Sequence, residues 1–303
     1  MSRLWDCFFV RKRGIFVSLL TFMSLDRKRG RMVFEKLERD LVKLSSELRP
    51  QDVHGFRTAT RRLHILLIEL APHPNRRDKK LLKSLGRIRK RAGKFRDLDV
   101  QLAALRSFKS PREPRRKTQL VNQLIELRDR QEKKLRKNLN KETVSNLRKQ
   151  LKRAARNFNP KNSRDPLSVA RTLLGSMDGA GASIDAALLH QYRIRTKRAR
   201  YAAELANPST ESEQFIIGIK RVQDALGDWH DWLTLTENAK KHLGEVRESA
   251  LVAELHNLTG AKFRSAISAL SRLPQKPSRQ QKSPAAASVL TAVTLNSEAI
   301  PAA

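Results

Sequence analysis

Apolar residues recur along this chain at the three-to-four-residue spacing of helices that bury one face. From Met32 onward almost every segment reads this way. Val33, Leu37, Leu41 and Leu44 mark a first helix. The stretch 52–71 is a second, closed by Pro72 and Pro74. A long helix is expected over 78–107, with Leu81, Leu85, Ile88, Ala92, Phe95 and Leu102 on its apolar side, ending before Pro111 and Pro114. Helices follow over 115–138 and 141–157, and Asn159 to Pro166 reads as a linker. Leu167–Met177 is a short helix, Asp178 to Gly181 a break, and 183–206, 211–242 and 246–272 are helical by period, with Asn207 and Pro208 as a divider. No stretch shows the strict alternation of a half-buried strand, so the fold class is all-α.

Two helices carry a second pattern. Over 190–201, His190, Arg193, Lys197 and Arg200 fall within about 80° of one another on a helical wheel and form one basic stripe. Over 54–67, His54, Arg57, Arg61 and His64 repeat the same spacing. The repeat extends further. Leu85, Arg87, Gly93 and Asp97 align with Ile219, Arg221, Gly227 and Asp231. Each half thus has a histidine-bearing basic helix followed by a long helix with an internal glycine and then an aspartate. Glycine inside a helix costs about 1 kcal/mol relative to alanine. Its use at matched places points either to close helix packing or to space for a ligand. Duplication implies a pseudo-two-fold protein of two four-helix bundles, with the two stripes facing each other across a basic central cleft. The halves are about 32–160 and 165–273.

Composition sharpens the picture. Of 303 residues, 63 are Lys or Arg and 30 are Asp or Glu, a formal charge of +33. Such an excess calls for a densely anionic partner: nucleic acid, an anionic membrane surface or an inorganic polyanion. Aromatic residues make up 5% of the chain, few for a protein that stacks single-stranded bases. The single cysteine, Cys7, excludes an intramolecular disulfide and a cysteine-built metal site. The seven histidines form no cluster at metal-ligand spacing, so no metal and no cofactor are expected. Residues 1–31 hold a basic run, Arg11–Arg13, before an apolar run, Ile15–Met23, too short to span a bilayer and followed by no A-x-A cleavage site. They read as an extension, with the working chain starting near Met23 or Met32. Residues 274–303 read as a disordered tail.

The residues quoted above resemble the CHAD family, the conserved histidine α-helical domain. The likeness rests on Val53, His54, Phe56 and Arg57 with Arg61 and Arg62, then Phe95, Arg96, Asp97, Leu98, Asp99 and Val100. In the second half it rests on Leu189, His190, Tyr192 and Arg193 with Lys197, Arg198, Arg200 and Tyr201, then Gln223, Leu226, Gly227, Asp228, His230 and Asp231. It covers residues 33 to 272. The resemblance implies two pseudo-symmetric four-helix bundles, a basic cleft that binds inorganic polyphosphate, and association with polyphosphate granules in the cytoplasm. Many relatives carry a triphosphate-hydrolysing CYTH domain on the same chain. No E-x-E-x-K signature and no strand-rich segment occurs here, so that catalysis does not carry over, and the chain is not expected to be an enzyme.

Polyphosphate is a flexible chain with about one negative charge per phosphate, and Arg and Lys are the donors suited to it. The expected contacts are Arg57, Arg61, Arg62, Arg193, Lys197 and Arg200. Lys83, Arg87, Lys90, Lys94 and Lys220 are expected to extend the track. His54 and His190 sit one turn before an arginine on the same face and are expected to contact phosphate, gaining charge near a polyanion. His230 takes the place of Arg96 in the repeat and joins them. Asp97 and Asp231 are expected to orient neighbouring Arg or His side chains, because carboxylates repel phosphate. Tyr201 suits either phosphate or helix packing, and Trp229 belongs to the core. The competing reading is a basic helical protein that binds nucleic acid, since counterion release favours any phosphate backbone.

Overall fold

Why each helix starts where it does is visible at its first turn. Asn75, Asn140 and Asp185 accept hydrogen bonds from the backbone N–H three residues on, at 2.9, 2.7 and 2.7 Å. Ser209 and Ser212 form a reciprocal capping box. Pro50, Pro114 and Pro166 open three others, where a missing N–H costs nothing. In the computed structural model, which describes residues 25–71, 74–110, 112–161, 163–175 and 184–273, these signals delimit α1 (Arg27–Ser46), α2 (Pro50–Ile65), α3 (Arg76–Ser107), α4 (Pro114–Lys137), α5 (Lys141–Asn157), α6 (Pro166–Gly175), α7 (Ala186–Ala203), α8 (Thr210–Leu243) and α9 (Ala250–Ser271). The described residues contain no strand.

The fold is all-α, as the periodicity predicts. Several boundaries differ from expectation: α7 is shorter than 183–206 at both ends, α9 starts at Ala250 rather than 246, and two further differences have a visible cause. The end of the second helix, Leu66–Leu70, is a π-turn in which Ala71 N–H reaches back to Leu66 O. That turn buries Leu66, Leu67 and Leu70 and presents Glu69 to Arg198 of α7. The first helix begins at Arg27 rather than at Met32, because Leu25 and Gly30 are buried and Arg29 bonds the Ala206 carbonyl. Residues 1–24 and the tail over 274–303 lie outside the described residues.

The buried side chains form three groups, and they do not divide at the boundary between repeats. One holds Phe34, Leu41, Phe56 and Phe95 of the first half together with Ala170, Ala199 and Ile219 of the second. Another joins Leu98 and Leu105 of α3 and Leu120 of α4 to Leu235 of α8 and Leu251 of α9. The third, around Trp229, draws on α7, α8 and α9. The reason is length. At about 1.5 Å per residue α3 and α8 run roughly 50 Å each, long enough for α3 to serve two of these groups and α8 all three. They touch each other along the way, where Gln101 accepts from Asn238 at 2.7 Å and meets Thr234 at 3.4 Å.

One glycine fixes a close approach. A Cβ on Gly30 would overlap the ring of Phe158, which is itself buried against Phe34. Gly30→Ala is expected to destabilise the protein by about 1–3 kcal/mol through overpacking. Gly86→Ala, where nothing lies within 4 Å of the new methyl, should instead stabilise by up to about 1 kcal/mol. Thermal melts of the two variants would show the opposite signs.

Candidate functional site

Because α2 packs on α7 and α3 on α8, the matched features of the two repeats come together. α2 supplies His54, Arg57 and Arg61, and α7 supplies His190, Arg193, Lys197 and Arg200. α3 brings Gly93 and Asp97, and α8 brings His230 and Asp231. The apolar sides of α2 and α7 hold these helices in place through Phe56, Leu63, Leu189, Tyr192 and Ala199, all buried. The basic stripes are thereby turned toward α3 and α8.

Arg57 lies across Gly93, its guanidinium 3.6 Å from where a Cβ would stand, and Nη1 reaches Asp97 Oδ1 at 3.2 Å. Gly93 is thus in ordinary van der Waals contact with Arg57, with room for a methyl. Its counterpart Gly227 has nothing within 4 Å of that position, so the two repeats use the same residue differently. His190 and His230 stack with ring centres 5.2 Å apart. Arg200 lies over the ring of buried Tyr201, 5.3 Å from its centre, which settles Tyr201 as packing. Trp229 is in the core.

The electrostatics show a concentration of like charge. Burial, then Arg193 and Arg61, with Arg57 adding and Asp231 opposing, pull the Lys197 ammonium down to about 7. Burial lowers Arg193, opposed by Asp231 and Asp97 and reinforced by Arg61 and Arg57. His54 is lowered by burial, Arg96, Arg57, Arg200 and Lys197. His230 falls to about 3 through burial, Arg193, His190 and Lys197. His54 and His230 are therefore neutral in the free protein, and the expected gain of charge at His54 belongs to the bound state. Burial first, and then their cationic neighbours, hold them neutral. Asp231 is raised, because burial, Asp97 and Asp228 outweigh the pull of Arg193 and Lys197. Arg193 Nε, His230 Nδ1 and Gln223 Oε1 are buried without a hydrogen-bond partner. Among the described residues no three His, Cys, Asp or Glu side chains converge as metal ligands, and no helix is long and apolar enough to cross a membrane.

Several expected residues sit elsewhere. Arg62 turns away from the stripe and pairs with Glu204 of α7 at 2.7 Å, and Glu204 also holds Arg200 at 3.0 Å. Arg62 thus ties α2 to α7. On α3, Lys83, Lys90 and Lys94 are exposed, about 60–100° round the helix from Gly93. Arg87 lies further round and lines a groove toward α5. Lys220 is exposed on α8, two turns before Gly227 and about 20° from its line. Two arginines of α3 were missed. Arg89 is lowered by burial, Arg61 and Arg57, with Tyr201 opposing, and Arg96 acts on His54. They flank Gly93 at four residues before and three after, so the glycine itself marks the line of α3 that faces the site.

A CHAD domain family model matches residues 33–240. Two solved structures share the fold. The CHAD domain from the plant Ricinus communis is 18% identical, with a TM-score of 0.57 over 87% of this chain and 97% of that one. PptA from Streptomyces chartreusis is 15% identical, with a TM-score of 0.64 over 82% of this chain and 98% of that one. No curated protein is significantly similar. With the family match spanning more than half of its length, the chain belongs to the CHAD domain family.

Proposed function

We propose that this protein is a non-catalytic binding module for inorganic polyphosphate, seated where α2, α3, α7 and α8 meet, and that it works in the cytoplasm on polyphosphate granules. The observation that carries the reading is Lys197, half-buried and brought down to about 7 beside Arg193, Arg61 and Arg57. Cations that outnumber the carboxylates among them, Asp97, Asp231 and Glu204, form a site suited to an added anion. A flexible single chain can pass among half-buried donors that the rigid outer surface of a duplex cannot follow. The polyphosphate-binding cleft implied by the family resemblance agrees with this.

The matched hydroxyls of the two stripes give the non-catalytic reading limited support. Thr60 and Thr196 donate to the Phe56 and Tyr192 carbonyls of their own helices at 2.8 and 2.7 Å. The test is a salt-stepped competition between long-chain polyphosphate and duplex DNA matched in phosphate. Polyphosphate is expected to win at physiological salt, and the pair Arg57→Ala with Arg193→Ala to remove the preference. Equal competition with the same salt slope would make the protein a general polyanion binder, nucleic acid included.

A further inference from the structure

The basic track expected along α3 does not run into the central site, and its place in the fold has a consequence of its own. α5 leans on α1, where Arg148 and Lys152 reach Glu38 at 3.0 and 3.6 Å. It touches α3 only lightly. A trough is left between α3 and α5. It consists of two hollows that share Gln150, one of 540 Å³ at the start of α3 and one of 330 Å³ further along.

The walls of the trough are two polar stripes. On α5, Asn146, Gln150, Arg153 and Asn157 follow one another at helical spacing. The facing wall of α3 carries Arg76, Arg77 and Lys80 in the larger hollow and Arg87 in the smaller, with Lys137 closing the smaller one from the end of α4. None of these six cations makes an ion pair among the described residues, whereas Arg148 and Lys152 on the other flank of α5 do. The one carboxylate in the lining is Asp78, half-buried, with its carboxyl raised by that burial. The neutral amides between the cations offer further N–H donors to phosphoryl oxygens.

We infer that the α3–α5 trough is a second binding site for linear inorganic phosphate chains, separate from the central cluster. The identity of its ligand rests on the polyphosphate reading given above. The trough is open and its cations are solvated, so it binds more weakly and with a steeper salt dependence than the central site. A long chain held at both places gains avidity without any new contact. It also links neighbouring protein molecules.

Calorimetric titration of the full chain with tripolyphosphate tests this. The parent protein is expected to show two steps. Arg77→Glu with Arg153→Glu should abolish the weaker step, at least a tenfold loss, and leave the tighter one unchanged. Arg57→Ala with Arg193→Ala should do the reverse. The charge-matched pair Lys133→Glu with Lys134→Glu, on the exposed face of α4, should spare both steps, and circular dichroism melts check that each variant folds. The inference is overturned if the trough pair leaves both steps intact, or if the α4 pair weakens the second step equally, which would mean diffuse charge. A tight step that survives the central substitutions would instead overturn the central reading.

Discussion

Replacing Arg61 by alanine is expected to weaken polyphosphate binding at least tenfold and, in the same variant, to raise the melting temperature. Arg61 makes no ion pair among the described residues, and it acts on three neighbours of like charge, lowering Arg89, Arg193 and Lys197. Removing it relieves repulsion in the free protein. A gain of about 1 kcal/mol corresponds to roughly 2–4 °C for a domain of this size. The adjacent Arg62→Ala should behave in the opposite way. It breaks the 2.7 Å pair with Glu204 that joins α2 to α7. It should therefore lower the melting temperature by a few degrees and reduce affinity less than threefold. Two neighbouring arginines with opposite effects on stability separate a site held ready for an anion from a merely charged surface. If Arg61→Ala melted below the parent, the repulsion argued here would be offset elsewhere and Lys197 would need another explanation.

The difference between those two arginines also shows how far the sequence is legible. Period alone placed the helices well. α5 lies at 141–157 as expected, and α3 and α8 within two residues. It also picked out both stripes, because on α2 and α7 the cations fall on a single line of the helix, opposite the buried side chains. α3 defeats the same method. It packs against α2, α4, α5 and α8, so its non-apolar surface is divided among the site, the α5 trough and solvent. A helical wheel separates apolar from polar but cannot say which polar line faces which neighbour. Lys83, Lys90 and Lys94 were therefore expected on the track, and Arg89 and Arg96 were passed over. The protonation of the histidines is illegible for a different reason. A histidine's charge depends on what surrounds it in space, and His54 and His230 are held neutral by burial and by cations that come mostly from other helices. Even the matched glycines diverge, Gly93 covered by Arg57 and Gly227 open. Identical residues in two repeats do not guarantee identical surroundings.

Polyphosphate binding is expected to take up a proton at Lys197 and to weaken as pH rises above 7. In the free protein this ammonium titrates near 7, against 10.5 for an ordinary lysine. A bound polyanion supplies the missing negative charge and raises it again. Between the free and bound values the complex holds one more proton than the separated partners. Affinity should then fall by up to tenfold per pH unit, until the bound value is reached. His54 adds uptake on the acid side, because its free value is lowered below 6.5. The window just above pH 7 therefore belongs to Lys197. Stability of the free protein has the opposite slope. The unfolded chain binds more protons than the folded one between about 7 and 10.5, so stability rises with pH across that interval and the cost of burying the charge is fully present below it. Calorimetry at pH 8 in two buffers of different ionisation enthalpy measures the uptake directly. The parent should approach one proton per central site. Lys197→Arg keeps its charge at that pH and should bind with no uptake and a nearly flat pH profile. If the arginine variant took up the same proton, the coupled group would be another member of the cluster.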